Sequence, residues 1–370
     1  MKKIFVAEPV LDGNEAKYVL DAITEEGHIS SFGKYINKFE QKMAASFQRK
    51  FASSCSNGTT ALHLALLALN VGLGDEVILP SMTFAACAAV VVHCGATPVF
   101  IDSNIDDWTL DINQLDSKLT PKTKAVIAVD LYGLPADYEY LEKWCKKNKV
   151  YLIEDAAEAH GARFMDSPVG SFGSVSCFSF YGNKVLTTGE GGICLTDDKE
   201  IHERIGIFKN HGTKPGINRS ERYEHSVAGF NFRLTNLQAA VGCAQLERMN
   251  KFLSKRDKIN AWYHKYLGGI KEITFQKFDS KKIKPVCWLF SCLVKKDVEK
   301  IMDELAGKGV ESRPFFKPLH LQGPYKKYCA GQKFPVAEYL WKYGLTLPTS
   351  VKLEEKEIKY ICDCLKKELK

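Results

Sequence analysis

The fold of this chain is decided by one stretch, Ser176-Cys-Phe-Ser-Phe-Tyr-Gly-Asn-Lys184-Val-Leu-Thr-Thr-Gly-Glu-Gly-Gly192. Its first half is apolar and aromatic and lies between Gly173 and Gly182, which predicts a buried strand. Its second half is rich in glycine, which permits backbone conformations closed to other residues and predicts a loop. Lys184 therefore lies where the strand gives way to the loop.

Lys184 has two interpretations at this position. Burial lowers the pKa of a lysine because it costs free energy to desolvate an ammonium, and a neutral amine can attack a carbonyl to form a Schiff base. The other interpretation is an exposed loop lysine, since most lysines are exposed. This stretch alone favours the exposed lysine, whereas the rest of the chain favours the reactive amine.

The composition is that of a soluble globular protein, with 370 residues of which 45% are hydrophobic and 26% are charged. The length predicts a large domain over 1–250 and a smaller one over 251–370, with a charged hinge at 251–258. The net charge of +7 is mild and forms no basic stripe, so no nucleic-acid partner is expected. Twelve irregularly spaced cysteines, no secretory signal and no membrane-length apolar run indicate a cytoplasmic protein without a membrane partner.

Short apolar strands alternate with helices over much of the chain. Such alternation predicts an α/β fold whose central sheet is mostly parallel and sandwiched by helices, with ligands bound beyond the carboxyl ends of the strands. The C-terminal part mixes both elements and predicts a smaller α+β domain. The predicted strands are 76–79, 97–101, 124–130, 150–154, 286–294 and 310–313. The predicted helices are 12–26 (Asp12 as cap and Glu15 completing a capping box), 34–47, 61–69, 83–93, 137–148, 199–209, 233–250, 259–267, 298–305 and one from 353, with a polar irregular stretch at 211–225.

The segment Ser56-Asn-Gly-Thr-Thr60 precedes a predicted helix. Gly58 lets the backbone turn, the threonine hydroxyls can donate, and a helix N-terminus offers free N–H groups, so the segment suits a phosphate. Ser, Asn and Thr are also ordinary residues at a capped helix start. Taken alone, the segment favours the capped helix start.

Asp155 and Phe84 each follow a predicted strand. Asp155 would face the crevice at the strand ends and could keep a ligand's ring nitrogen protonated, but a helix N-cap is an equal alternative. Phe84 could stack on a planar ligand, although a core aromatic is the more common case. His160 has no second histidine or cysteine at a ligand spacing, so no metal site is expected.

The order of these features resembles the fold type I aminotransferases that depend on pyridoxal 5′-phosphate (PLP), and more narrowly the nucleotide-sugar aminotransferases of the DegT/DnrJ/EryC1/StrS family. The resemblance covers nearly the whole chain and is specific because several blocks occur together. The blocks are Ser56-Asn-Gly-Thr-Thr-Ala-Leu-His63, Pro80-Ser-Met-Thr-Phe84, Glu154-Asp-Ala-Ala-Glu-Ala-His-Gly161, the Lys184 stretch, and Gly229-Phe-Asn-Phe-Arg-Leu-Thr-Asn236 with Gln238 and Gln245.

The resemblance implies PLP as the cofactor, with pyridoxamine 5′-phosphate (PMP) as its intermediate form. Lys184 would hold PLP as a Schiff base and move protons, and Asp155 would bind the pyridine nitrogen. Asn231 would reach the phosphate of the other subunit, which implies a homodimer with shared active sites. The other implied cofactor contacts are Gly58, Thr59, Thr60 and Ser179 at the phosphate, Phe84 on the ring face and Glu158 at the ring hydroxyl. Some family members carry Gln at the Glu158 position and Trp at the Phe84 position. Because Glu158 would contact the ring hydroxyl, either protonation state of its carboxyl group is left open.

The sequence around Lys184 most resembles that of the perosamine and viosamine synthases. The implied reaction moves an amino group from L-glutamate to the C4 keto carbon of a nucleotide-linked 4-keto-6-deoxyhexose, with the nucleotide open among GDP, UDP and dTDP. The alternatives are a C3 aminotransferase, a PMP-dependent 3-dehydratase, whose family has histidine at the Lys184 position, and an inactive regulatory homologue. Arg313, Phe316 and His320 lie on a candidate substrate loop, for which a purely structural loop is the alternative.

Overall fold

The structure is a computed structural model that describes residues 3–214, 223–329 and 331–370. Its strands are β1 (Phe51–Cys55), β2 (Glu76–Pro80), β3 (Thr97–Ile101), β4 (Thr123–Val129), β5 (Tyr151–Asp155), β6 (Arg163–Phe164), β7 (Ser167–Pro168), β8 (Val175–Ser179), β9 (Gly192–Thr196), β10 (Ile273–Thr274), β11 (Ile283–Lys284), β12 (Phe290–Val294), β13 (Arg313–Pro314) and β14 (Gly344–Leu347). Its helices are α1 (Glu15–Thr24), α2 (Lys34–Ser46), α3 (Gly58–Ala68), α4 (Ala86–His93), α5 (Leu115–Lys118), α6 (Tyr138–Asn148), α7 (Lys199–Lys209), α8 (Asn236–Glu247), α9 (Met249–Leu267), α10 (Val298–Gly307), α11 (Pro335–Tyr343) and α12 (Glu355–Leu369).

The central sheet has seven strands in the order β1-β9-β8-β5-β4-β2-β3. Five of them, from β8 to β3, pair in parallel, and β9 is antiparallel to both of its neighbours. The predicted α/β fold with a mostly parallel central sheet is confirmed. The carboxyl ends of β2, β4, β5 and β8 consequently meet along one edge, and the residues that follow these ends can come together there.

Helices cover both faces of this sheet because its strands are apolar on both sides. Alternate residues of β4 face opposite cores: Ile127 packs in the core that contains Leu64 of α3, and Val126 packs in the core that contains Leu141 and Trp144 of α6. A strand buried on both faces gives a continuous apolar run, which is typical of a parallel sheet.

A second sheet, β10-β12-β14-β13, is antiparallel and packs with α9, α10 and α12 around its own apolar core. This part has the mixed α and β character expected of the C-terminal domain. The chain start also reaches it, since the N–H of Ile4 donates to the Gly309 carbonyl at 2.8 Å. The boundary between 1–250 and 251–370 stays a prediction.

Several sequence-based details differ from the structure. Residues 251–258, predicted as a hinge, lie inside α9, so this segment is not a break. Lys251, Asp257 and Lys258 are on the exposed surface of the helix, whereas Arg256 is buried. The helix predicted at 233–250 ends at Glu247, and Arg248 separates it from α9. The predicted capping box at Asp12 is absent from α1, because Asp12 pairs with Arg248 and the buried Glu15 accepts from Gln245 Nε2 at 2.7 Å.

The polar stretch predicted at 211–225 is described only in part, because residues 215–222 lie outside the described residues. Among the residues that are described, no helix combines the length and apolarity needed to cross a membrane.

Candidate active site

Lys184 is buried where the carboxyl end of β8 meets the glycine-rich loop. Its side chain is 11% exposed, and its Nζ lies 3.8 Å from Oε1 of Glu158 and 3.9 Å from the centroid of the Trp288 ring. The alternative of an exposed loop lysine is therefore wrong. Burial lowers the pKa of Lys184, while the nearby carboxylates of Glu158 and Asp155 partly oppose that shift. The result favours a neutral, nucleophilic amine.

Asp155 ends β5 and is almost fully buried. Its Oδ2 accepts a hydrogen bond from the Cys87 thiol at 3.0 Å, and its Oδ1 accepts from the Ala157 N–H at 3.2 Å. Burial raises the pKa of Asp155, whereas the hydrogen bonds and Lys184 lower it. Turns, not a helix, follow at 156–162, so the N-cap alternative is wrong.

Glu158 lies between the backbone after β4 and the lysine. Its Oε2 accepts from the N–H of Tyr132 at 2.8 Å, and its Oε1 faces Lys184. Burial raises the pKa of Glu158 to about 7, although Lys184 and the Tyr132 bond act to lower it. This carboxyl group can therefore exchange its proton near neutral pH.

The segment before α3 is a capped helix start that also leaves backbone N–H groups for a ligand. Asn57 Oδ1 accepts from the Thr60 N–H at 2.9 Å, and the Thr60 hydroxyl accepts from the Asn57 N–H at 3.1 Å, which completes a capping box. The helix begins at Gly58 rather than at 61, which leaves the first-turn N–H groups of Gly58 and Thr59 for a ligand.

Ser179, at the carboxyl end of β8, packs directly against this helix start. A Cβ on Gly58 would lie 2.7 Å from Cβ of Ser179, closer than real side chains approach. Gly192 pairs with Cys55 on one side and with Ser179 on the other, and this pairing aligns the two strand ends. The backbone N–H groups and the serine hydroxyl together suit a phosphate.

Phe84 lies at the rim of the site with 58% of its surface exposed, so it is not a core aromatic. Its ring meets Phe316 edge-on at 5.8 Å between centroids, and Phe316 in turn stacks on Tyr132 at 5.4 Å and 19°. The N–H of Phe316 donates to the Tyr132 hydroxyl at 3.1 Å. These rings form an aromatic wall from which Phe84 is free to contact a planar ligand.

The other predicted substrate residues lie in different surroundings. Arg313 is exposed and pairs with Glu311 at 3.1 Å. His320 is buried, with Nδ1 2.6 Å from the Ser81 hydroxyl and Nε2 3.3 Å from Glu338, so the protein itself occupies both ring nitrogens. Burial lowers the pKa of His320, and this arrangement favours a structural role for it.

Asn231 is exposed and forms an isolated bridge with Asn210. This position is compatible with a contact to another subunit.

Sequence reasoning missed Cys87, Tyr132 and Trp288. Trp288 precedes β12, and its Nε1–H donates to the carbonyl of Asn183 at 2.9 Å, which holds the indole beside Lys184. The signals in the sequence were weak, because a cysteine in an apolar helix and aromatics near strands are ordinary core residues.

This set of groups fits PLP. The α3 N-terminus with Ser179 would hold the phosphate, Asp155 would pair with the ring nitrogen, and the Lys184 amine would bind the aldehyde carbon. Phe84 would cover one face of the ring. These groups lie at or just after the carboxyl ends of strands in one sheet: β1 for the start of α3, β2 for Phe84, β5 for Asp155, and β8 for both Ser179 and Lys184. The fold therefore brings them to one place.

The fold and site are those of the PLP-dependent aminotransferases. A proposed sugar aminotransferase of Streptococcus pneumoniae, solved in PLP and PMP forms, superposes with a TM-score of 0.91 at 29% identity, over 99% of this chain and 97–98% of that one. The profile of the DegT/DnrJ/EryC1/StrS aminotransferase family matches residues 10–366, and the chain belongs to this family.

Two curated relatives are similar over nearly their full length. A GDP-perosamine synthase of Escherichia coli O157:H7 is 40% identical over 99% of this chain and 98% of its own. A GDP-perosamine synthase of Caulobacter vibrioides is 39% identical over 97% of this chain and 96% of its own. The protein is thus a PLP-dependent nucleotide-sugar aminotransferase.

Proposed function

We propose that this enzyme transfers the amino group of L-glutamate to C4 of a GDP-linked 4-keto-6-deoxyhexose. The observation that carries the proposal is the buried Lys184, which lies between Glu158 and Trp288 at the strand ends. The names of the relatives support GDP and the perosamine-type product. A lysine at this position disfavours the 3-dehydratase, and the intact set of buried groups disfavours an inactive homologue.

PLP, when bound by these residues, would supply an electron sink for negative charge at the reacting carbon. Lys184, whose pKa is lowered by burial, would take the proton from the donor carbon and deliver it to C4′ of the cofactor, and in the second half of the reaction it would work in the opposite direction. Asp155 keeps the ring nitrogen protonated. The aromatic wall of Phe84, Phe316 and Tyr132 lines one side of the site.

The sugar nucleotide would enter past the exposed rim. Arg313 is exposed and pairs with Glu311, and its guanidinium could exchange this partner for a diphosphate. Phe316 is half-buried behind Phe84, which makes Phe84 the first ring that a nucleotide-linked sugar would meet.

A homodimer with shared active sites is part of the proposal. Helix α1 and the loop after it carry four exposed apolar side chains, Leu20 and Ile23 in the helix and Ile29 and Phe32 in the loop. Exposed apolar groups that lie close together are typical of a protein interface, and a second copy of this chain would cover them. Asn231 would then reach the phosphate in the partner subunit.

The first test is the visible absorption of the purified, PLP-loaded protein before and after L-glutamate. Glutamate should remove the PLP band and convert the cofactor to its PMP form, and the GDP-linked ketosugar should restore it. Lys184→Ala should abolish turnover, whereas Lys143→Ala, an exposed lysine of α6, should not change it. A protein without a PLP band, or a Lys184→Ala variant with normal turnover, would refute the proposal.

The product identifies the carbon that reacts. NMR of the purified sugar nucleotide should place nitrogen on C4. Nitrogen on C3 would make the enzyme a C3 aminotransferase, and a deoxygenated sugar without nitrogen would make it a 3-dehydratase.

A further inference from the structure

We propose that Cys87 is a positioning residue, whose thiol donates a hydrogen bond that holds the Asp155 carboxylate toward the pyridine nitrogen. The inference rests on the proposed function, because it assigns Asp155 to that nitrogen. Cys87 lies in the first turn of α4 and is fully buried, with its Sγ 3.0 Å from Oδ2 of Asp155. Thr83, also buried, places its hydroxyl 3.5 Å from the same sulfur.

The direction of these bonds follows from the chemistry of the three groups. Burial, together with the nearby Asp155 carboxylate, raises the pKa of the Cys87 thiol well above its ordinary value, so the sulfur keeps its proton. An ionised carboxylate can only accept, so the thiol is the donor between the two. The Thr83 hydroxyl is then the donor to sulfur, and the three groups form a short chain of hydrogen bonds that ends on Asp155.

The thiol matters because Asp155 has few other donors on the protein side. The Ala157 N–H satisfies Oδ1, and Cys87 satisfies Oδ2. A buried carboxylate that loses a donor either rotates or takes up a proton, and a protonated carboxyl is a poorer partner for a ring N–H⁺. Cys87 therefore fixes the orientation of the carboxylate and keeps it ionised.

Phe84 lies two residues before the start of α4, on the backbone that leads into it. The Cys87 N–H donates to the Phe84 carbonyl at 3.3 Å, so the thiol and the exposed ring are held by one piece of backbone. The helix that follows β2 thus serves two sides of the cofactor: the ring of Phe84 toward its face, and the thiol of Cys87 behind its nitrogen.

The alternative is that Cys87 only fills space, as a buried cysteine usually does. The substitutions Cys87→Ser and Cys87→Ala distinguish a hydrogen-bond donor from a space-filling side chain, because serine and alanine are similar in size and differ in one hydroxyl. Cys87→Ser retains a donor for Asp155, and Cys87→Ala removes it. Cys292→Ala controls for the loss of a fully buried sulfur, since Cys292 lies in β12 within the second core.

The first experiment measures PLP affinity by titrating the apoenzyme. Cys87→Ala should bind PLP about tenfold more weakly than wild type, and Cys87→Ser and Cys292→Ala should bind within about twofold of it. Equal losses in Cys87→Ala and Cys87→Ser, or no loss in Cys87→Ala, would overturn the proposal.

The second experiment uses the S–H stretching band in the infrared spectrum of the apoenzyme, so it does not depend on folding of Cys87→Ala or on catalysis. The difference between wild type and Cys87→Ser isolates the band of Cys87. Asp155→Asn weakens the acceptor and should move this band to higher frequency. A band that stays in place shows that the thiol does not donate to Asp155. If the S–H band shifts as expected but the protein binds no PLP, the proposed function is refuted while the hydrogen bond from Cys87 to Asp155 is still supported.

Discussion

At the scale of single residues, the charge of Glu158 depends strongly on its surroundings. It is buried beside Lys184, accepts from the Tyr132 N–H, and has a pKa raised to about 7 by burial. A carboxyl group that is neutral below pH 7 and charged above it changes the electrostatics around the lysine within the working range.

This raised pKa has a consequence for stability. Between the ordinary glutamate pKa of 4.5 and about 7, the folded protein holds a proton that the unfolded chain has released. The stability linked to Glu158 is therefore fully present below 4.5 and is lost as the pH rises through about 7. Glu158→Gln should stabilise the apoprotein by roughly 2 kcal/mol at about pH 8 and hardly at all at about pH 5.

Urea denaturation of both proteins at the two pH values measures this difference. Glu154, also buried with a pKa raised to about 7, is present in both proteins, so its titration cancels. A stability difference that is the same at both pH values would contradict the raised pKa of Glu158.

At the scale of elements, the start of α3 depends on the absence of a side chain at Gly58. Gly58→Ala would force Cβ to within 2.7 Å of Cβ of Ser179, so the helix start must move away from β8. We expect a loss of about 1–3 kcal/mol in unfolding free energy and weaker PLP binding. Chemical denaturation and PLP titration would measure the two effects.

Gly206→Ala is the matched control for this change. Gly206 lies within α7, where an added Cβ would meet nothing within 4 Å. The substitution Gly206→Ala should therefore raise the free energy of unfolding by roughly 0.5–1 kcal/mol. If Gly58→Ala behaved like Gly206→Ala, the close contact with Ser179 at the start of α3 would not matter.

The helix α9 supports the site from a distance. Arg256 is buried in it and donates from Nη1 to the carbonyls of Cys287 at 2.9 Å and Trp288 at 2.7 Å. Arg256→Met should lower the unfolding free energy by about 2–4 kcal/mol and lower kcat, because Trp288 loses its backbone anchor beside Lys184.

Thermal unfolding and steady-state kinetics test this expectation, with Lys258→Met as the control. Lys258 is exposed on the same helix, and its replacement should change stability by less than about 0.5 kcal/mol. Wild-type kcat in Arg256→Met would show that the position of Trp288 does not limit turnover.

At the scale of the whole molecule, the proposed sharing of active sites between two subunits predicts that two variants can complement each other. Lys184→Ala lacks the reactive amine, and Asn231→Ala lacks the group proposed to reach the phosphate of the partner subunit. We expect each variant alone to have little activity. When the two proteins are unfolded and refolded together, half of the dimers should be mixed, and each mixed dimer would have one site with both groups. Activity should recover to about a quarter of the wild-type value.

Refolding each variant alone provides the control and should give no recovery. A mixture that stays inactive while it forms mixed dimers, detected with two affinity tags, would contradict a site built from both subunits.

The sequence by itself determined the features that depend on neighbours in the chain. The strand and helix pattern follows from the period of apolar residues, and α7 at 199–209 agrees residue for residue with the prediction. The turn before α3 was predictable because glycine and threonine have local reasons to occur there, whereas the role of Lys184 was predicted only from the order of several motifs along the chain. Helix ends were less readable, as at 233–250, because small differences in capping decide them.

The tertiary structure decided what depends on residues far apart in the chain. Trp288 and Glu158 surround the Lys184 amine, and the Cys87 thiol donates to the Asp155 carboxylate. The placement of His320 in a closed network with Ser81 and Glu338 has the same origin. Burial and hydrogen bonding set these properties, and both arise only when the strand ends and the C-terminal part come together around one site.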